Sequence, residues 1–120
     1  MHQVIIDTDF LLHSVANKVD IFSELNRVCH FPFKVFIIDK TLKELKNKKN
    51  EKLALSLIKD KVELIKTKED KSVDDLILDL TPENLVVCTN DTKLKEKLKK
   101  RNIPVIILRQ GKYLVIDNVL

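Results

Sequence analysis

The chain is 120 residues long, 44% hydrophobic and 33% charged, with one glycine, three prolines and two cysteines, a composition that excludes a disordered chain, a disulfide scaffold and a glycine-rich fibre. Its net charge of +4 arises from 22 basic and 18 acidic residues, so it is mixed in charge rather than a polycation. No apolar run approaches bilayer length and no charged stretch precedes a long apolar one at the N-terminus, which predicts a single soluble domain over residues 1–120, addressed to the cytoplasm and to no membrane.

Residues 3–7 read as a short buried strand that ends in Asp7-Thr8-Asp9, followed by an apolar helical turn through about Asn17. A stronger helix is expected over 19–30, where Ile21, Phe22, Leu25 and Val28 recur at helical spacing, and Pro32 closes it. Lys34 to Ile38 is the second strand, and Thr41 is expected to start a helix through Leu42 and Leu45. After a polar break at 47–50, a helix is predicted with Leu53, Leu57 and Ile58 along one side, then a short strand from Val62 to Ile65. Ser72 opens a helix with Val73, Leu76, Ile77 and Leu80 inward, ended by Thr81-Pro82. Leu85 to Cys88 is a strand, and Asp91 to Arg101 a helix whose Leu94 and Leu98 form a narrow apolar seam. Val105 to Leu108 follows as a strand, and Gly111 permits a reversal into an antiparallel edge strand, Tyr113 to Ile116.

Strands alternating with helices predict an α/β domain with a central, mostly parallel sheet covered by helices on both faces. Right-handed crossovers carry the C-terminal ends of the parallel strands to one rim. Asp7, Asp9, Asp39, Glu44, Asp74, Asp75 and Asp91 all follow strands at or near that rim. A single glycine excludes a P-loop and a dinucleotide fingerprint, and no Gly-x-Ser-x-Gly elbow is present. Cys29 and Cys88 belong to no Cys/His cluster, so buried reduced thiols are expected rather than zinc, and His2, His13 and His30 share no ligand spacing.

Each rim acid has a plain reading as a helix cap or first-turn residue. Thr41-x-x-Glu44 and Ser72-x-x-Asp75 have capping-box spacing, and Asp91 sits where an N-cap belongs. Two features favour a site instead. Thr8, Thr41, Ser72, Thr89 and Asn90 offer neutral caps, and the acids are doubled at Asp7/Asp9 and Asp74/Asp75 with no lysine or histidine inside these motifs. Neighbouring carboxylates in a half-buried place take up protons or bind a cation, and oxygen-only ligation suits Mg²⁺ or Mn²⁺, one ion or two. Ions so held activate water and stabilise charge on a phosphodiester.

Lysines crowd 40–52 and 93–101. Solvated helix faces account for most of them, and phosphate contact by a few would make affinity for a polyanion salt-dependent. Aromatic stacking has little support, because Tyr113 is the one tyrosine and the five phenylalanines read as core.

In order along the chain, Asp7-Thr8-Asp9 after an apolar strand, Glu44-Leu45 after the second strand, Val73-Asp74-Asp75-Leu76-Ile77 opening a later helix, and Thr89-Asn90-Asp91 after the next strand resemble the four motifs of the PIN-domain nucleases. The resemblance spans nearly the whole chain. The lysine-rich helix, Pro104 to Arg109 and Lys112-Tyr113 look like the small archaeal members similar to pre-ribosomal-RNA processing PIN domains. Asp9 stands where the family carries Asn or Ser, and Asp74 aligns with the family acid because Ile77 keeps the helix phase.

The resemblance implies a PIN-like fold with strand order 3-2-1-4-5 and a metal-dependent endoribonuclease leaving a 5′-phosphate. It implies Asp7, Glu44, Asp74 and Asp91 as catalytic metal ligands, with Asp9 and Asp75 supplementary to the metal set and Thr8, Thr89 and Asn90 supporting it through hydrogen bonds. RNA is the implied partner, a ribosomal RNA precursor included, and a homo-oligomer is allowed; from the basic stretches themselves, Lys46, Lys93, Lys97, Lys100 and Arg109 are the candidate RNA contacts. The rival readings are a non-catalytic RNA-binding or ribosome-assembly module, a toxin ribonuclease held by an antitoxin, and, more remotely, a receiver-like domain with a rim of acids.

Overall fold

The computed structural model describes residues 1–80 and 83–117. Its architecture follows from one strand, β1 (His2–Ile6), in which Val4, Ile5 and Ile6 have no solvent exposure. A strand buried on both faces cannot alternate apolar with polar, which is why this segment reads as a continuous apolar run. The side chains still alternate in direction. Val4 and Ile6 enter one core with Phe10, Leu11, Leu25, Ile37 and Leu45, while Ile5 enters the other with Ile38, Val73, Ile77, Val87 and Leu98.

The first core is covered by α1 (Thr8–Ala16), α2 (Ile21–Val28), α3 (Asp39–Leu45) and α4 (Glu51–Ile58); the second by α5 (Val73–Leu78) and α6 (Thr92–Lys100). Between them lies a sheet of β1, β2 (Phe33–Ile38), β3 (Glu63–Ile65), β4 (Leu85–Cys88), β5 (Val105–Arg109) and β6 (Tyr113–Asp117), in the order β3-β2-β1-β4-β5-β6. All pairings are parallel except β5–β6, which is antiparallel. Both the 3-2-1-4-5 order and the antiparallel edge strand agree with expectation. β1 is flanked by β2 on one side and β4 on the other, so the order reverses at β1/β4 and opens a crevice beyond their C-terminal ends.

Several local readings are corrected. The second helix runs over Ile21–Val28 rather than 19–30, because Asp20 caps it by accepting from the Ser23 N–H at 3.1 Å. The third helix begins at Asp39, directly from the strand, and not at Thr41. Thr41 is fully buried inside the helix and its hydroxyl accepts a 3.0 Å hydrogen bond from Thr8, so it caps nothing and Glu44 has no capping-box partner. On α4 the inward residues are Ala54 and Ile58, with Leu57 half-buried, whereas Leu53 is 60% exposed. The i, i+4 pair with a small residue lets α4 approach α1, and that turns Leu53 outward. α5 ends at Leu78; Thr81-Pro82, expected to end it, lie outside the described residues. Cys29 and Cys88 are free, buried thiols as expected, and burial pushes the Cys29 thiol up to about 11. No helix among the described residues is long and apolar enough to cross a membrane.

The edge strand β6 is guarded by α2. Glu24 Oε1 accepts from the Leu114 N–H at 3.0 Å and Arg27 donates to the Leu114 carbonyl at 2.7 Å, while Arg27 also makes two 2.9 Å bonds to Glu24. An ion pair thereby occupies backbone groups that an edge strand would otherwise offer to another chain. The reversal into β6 depends on Gly111, whose φ is +63°, and a Cβ there would stand 3.0 Å from Asn17 Oδ1. Gly111→Ala is therefore expected to destabilise the protein by about 1–2 kcal/mol in urea unfolding, with amide exchange rising first in β6.

Candidate active site

Strand register assembles the first half of the site. Ile6 pairs with Cys88 across β1–β4, and the Asp7 N–H continues the ladder by donating to the Cys88 carbonyl at 3.0 Å. Asp7 is therefore level with Thr89. It occupies the N-cap position of α1 with an extended backbone but makes no side-chain cap bond. The strand alternation carries its side chain to the Ile5 side, the face on which α5 and α6 begin. There Thr89 Oγ1 donates to Asp7 Oδ2 at 3.0 Å, and the Asp91 N–H donates to the same Thr89 hydroxyl at 3.1 Å.

Asp91 caps α6, its Oδ1 accepting from the Leu94 N–H at 2.9 Å. The capping reading and the site reading are thus both true of Asp91, since a carboxylate has a second oxygen. Asp74 and Asp75 occupy the first turn of α5, which Ser72 caps by accepting from the Asp75 N–H at 3.2 Å. Asp74 is half-buried and Asp75 exposed.

Burial, above all, raises the Asp7 carboxyl to about 7; repulsion by Asp74 and Asp9 adds to the rise, and the Thr89 hydrogen bond opposes it. Asp74 is also raised, first by burial and then by Asp91, Glu44 and Asp9, with hydrogen bonding to Asp7 acting the other way. These causes define the cluster. Asp74 and Asp9 bear on Asp7, and Asp91, Glu44 and Asp9 bear on Asp74, whereas Asp75 faces solvent. Among the described residues no ion pair involves any of the five. No three of the described acidic, histidine or cysteine side chains form a ready metal-holding group, so the five make an electrostatic cluster rather than a preformed cage.

The supporting polar residues divide by task. Thr89 touches the cluster directly. Thr8 instead bonds Thr41 and so ties the start of α1 to α3, the helix bearing Glu44. Asn90 neither caps nor joins the carboxylates: its amide brackets Leu108, donating to the carbonyl at 2.9 Å and accepting from the N–H at 2.8 Å, which fixes the end of β5. Asp39 lies at the rim but both of its oxygens are taken by Thr67, from the N–H at 3.0 Å and the hydroxyl at 2.7 Å.

Lys46, Lys93, Lys97, Lys100 and Arg109 are all exposed. Lys93, Lys97 and Lys100 recur at i, i+4 and i+7, one stripe of α6 running about 10 Å away from Asp91. Lys99 pairs with Asp117 at 3.2 Å and Arg101 bonds the Leu78 carbonyl, so neither belongs to the stripe. Arg109 is the last residue of β5, just beyond Leu108. A cleft of about 190 Å³ is lined by Asp7, Asp9, Phe10, His13, Asn90 and Asp91. His13 is the residue that sequence reasoning missed there; its one signal is the i, i+4 spacing from Asp9.

A family model described as a PIN-like domain matches residues 4–111. The chain is 34% identical over 124 aligned positions to Ribonuclease VapC4 of Methanocaldococcus jannaschii, covering 94% of this chain and 95% of that protein. It is 29% identical to Ribonuclease VapC9 of Archaeoglobus fulgidus, covering 94% and 87%. Among solved structures it is similar to the PIN domain endonuclease Utp24, with TM-score 0.86 and 26% identity over 98% of this chain and 92% of that one. A chain in the structure of VapBC2 from Rickettsia felis bound to promoter DNA shares the fold alone, with TM-score 0.54 and 14% identity over 88% and 98%.

The raised Asp7 carboxyl has a sign that can be read in stability. Its folded value lies above the unfolded one, so its contribution is fully present below about pH 4 and is lost as pH rises through about 7. Asp7→Asn removes that loss. In chelator, the variant is expected to melt at a temperature close to wild type near pH 4 and higher by roughly 5 °C or more at pH 8, as followed by circular dichroism.

Proposed function

The chain belongs to the PIN-like domain family, and from that membership we propose that it is an endoribonuclease hydrolysing RNA phosphodiester bonds at the carboxylate cluster of the β1–β4 crevice. The observation that carries this reading is the cluster itself: Asp7, Asp9, Glu44, Asp74 and Asp91 sit at a topological switch point, repel one another and have no cationic partner among the described residues. Two relatives named ribonucleases, aligned over nearly their whole lengths, support it. We take residues 1–120 as one such domain, acting in the cytoplasm.

Nucleases of this family work with divalent ions, and the donor set suits one: oxygen ligands only, more negative charge than a half-buried place tolerates, and no competing lysine. Asp7, Glu44, Asp74 and Asp91 would hold Mg²⁺ or Mn²⁺, as one ion or two, with Asp9 at the exposed margin and Asp75 outside. When bound, such a cation lowers the pKa of a water and offsets charge on the phosphoryl group. The chain's own residues set the stage for that. Thr89 holds Asp7 by Oδ2 and leaves Oδ1 for the site, and the cap bond on Asp91 Oδ1 leaves Oδ2. Lys93, Lys97, Lys100, Arg109 and Lys46 supply exposed cations for the RNA backbone on either side.

Asp7→Asn, Glu44→Gln and Asp74→Asn should each reduce metal-dependent cleavage of RNA at least about 100-fold with the fold retained by circular dichroism; full activity in purified Asp7→Asn would overturn the assignment. Millimolar Mn²⁺ should raise the melting temperature of the wild type and do so less in Asp7→Asn. RNA binding without any cleavage across Mg²⁺ and Mn²⁺ would reassign the chain as a binding module.

The likeness to the PIN domain endonuclease Utp24 over 98% of the chain supports an endonuclease, and the resemblance of residues 104–113 to members similar to pre-ribosomal-RNA processing PIN domains favours a role in RNA processing. The names of the two relatives favour a second reading, a toxin ribonuclease restrained by an antitoxin. Expression of the wild type but not Asp7→Asn should then arrest growth, with relief by the product of an adjacent small gene; unimpaired growth counts for the processing role.

A further inference from the structure

Carboxylates do not account for the whole cleft. Its wall on the α1 side is His13. The buried residues of α1, Thr8, Phe10, Leu11 and Ser14, set the phase of the helix so that Asp9 and His13 share its exposed face, one turn and about 6 Å apart. Phe10 also lines the cleft but is 2% exposed and belongs to the core. His13 therefore presents the accessible ring.

The turn that carries this ring is fixed from outside the helix. Asn17 donates twice to the His13 carbonyl, from its N–H at 3.0 Å and its side-chain amide at 2.8 Å. The Asn17 side chain in turn lies against Gly111, in the β5–β6 reversal. The facing wall is held by the Asn90 bracket on Leu108. Between these two latches runs Leu108 to Gly111, including exposed Arg109. The cleft thus combines three carboxylates, Asp7, Asp9 and Asp91, with one accessible ring on its wall. At about 190 Å³ it is smaller than the roughly 300 Å³ at which pockets for drug-sized ligands begin, which suits a single base.

Building on the endoribonuclease reading, we propose that His13 is a substrate-contacting residue whose imidazole stacks on an unpaired base next to the phosphate held over the carboxylates, so that the cleft selects single-stranded RNA. Stacking needs a free π-face, and a base inside a duplex has both faces covered. The contact tolerates any base, because each offers such a face.

The test combines binding and cleavage for wild type, His13→Ala and His13→Phe. Fluorescence anisotropy of a labelled single-stranded RNA oligonucleotide in Ca²⁺, which offsets the charge of the carboxylates, should show binding about tenfold weaker in His13→Ala and restored to within about twofold in His13→Phe. The same RNA annealed to its complement should not distinguish the three proteins. In Mn²⁺, the His13→Ala defect should appear in KM with kcat nearly unchanged, and the pH–rate profile of His13→Phe should superimpose on wild type. Unchanged binding by His13→Ala, failure of phenylalanine to rescue, or an equal loss on the duplex would overturn the proposal. So would a kcat loss with an altered pH profile in His13→Phe, which assigns the ring to proton transfer. A wild type that binds RNA with this dependence on His13 but never cuts it sinks the nuclease reading and leaves the stacking contact standing. A wild type that neither binds nor cuts RNA overturns both.

Discussion

Burial of the C-terminal half of β1, Val4 to Ile6, on both faces is the constraint from which the rest of the structure follows. A strand enclosed on both faces must send its polar continuation out of one end, and here that continuation is Asp7. Burial also fixes register, because slipping β1 by one residue against β4 would exchange the side chains assigned to the two cores. The Ile6–Cys88 pairing thus decides that Asp7 meets Thr89. A hydrophobic demand in the middle of the sheet becomes a geometric specification at its rim.

That specification is costly for the fold. Asp7 is 5% exposed and lies among other acids, so its ionised form is disfavoured at neutral pH. The neighbourhood contains an easy remedy that the protein does not use, since lysines are abundant on α3 and α6 and among the described residues none pairs with the cluster. Among the described residues the negative charge of the cluster is left without an ion-pair partner. The neutral hydroxyl of Thr89 steadies Asp7 without cancelling it, and the Glu24–Arg27 pair is spent at the far side of α2, on the backbone of β6.

The walls of the crevice are held by side chains that bridge elements distant in sequence. Thr8 to Thr41 joins α1 to α3, Asp39 to Thr67 joins α3 to the segment after β3, and Asn90 to Leu108 joins the β4–α6 loop to β5. Asn17 against Gly111 closes the circuit between α1 and the β5–β6 reversal. Each latch is a short polar side chain satisfied at close to ideal distance, which suits a site that must hold its carboxylates in place against their mutual repulsion.

Periodicity and apolar content were enough to locate the strands and most helices, because burial of β1, β4 and β5 on two faces and of one stripe on each helix leaves a local signature. The order of motifs along the chain was enough to suggest which acids meet, and the sequence carried the reversal at its one glycine. What depended on contacts across the chain was not legible. Thr41 has the spacing of a cap, yet Thr8, 33 residues earlier, makes it a buried bridge. Leu53 has the composition of a core residue, yet Ala54 sets the α4 face through its fit to α1. Asp74 and Asp75, by contrast, were told apart in the sequence by the helix phase that Ile77 keeps, and in the fold Asp74 is half-buried beside Asp7 while Asp75 is exposed. His13, like Thr41 and Leu53, gains its place only from the packing between elements. Local pattern determines which elements form, because it reports burial one element at a time; which side chains share a site is decided by register and helix phase between elements, and those exist only once the chain has folded.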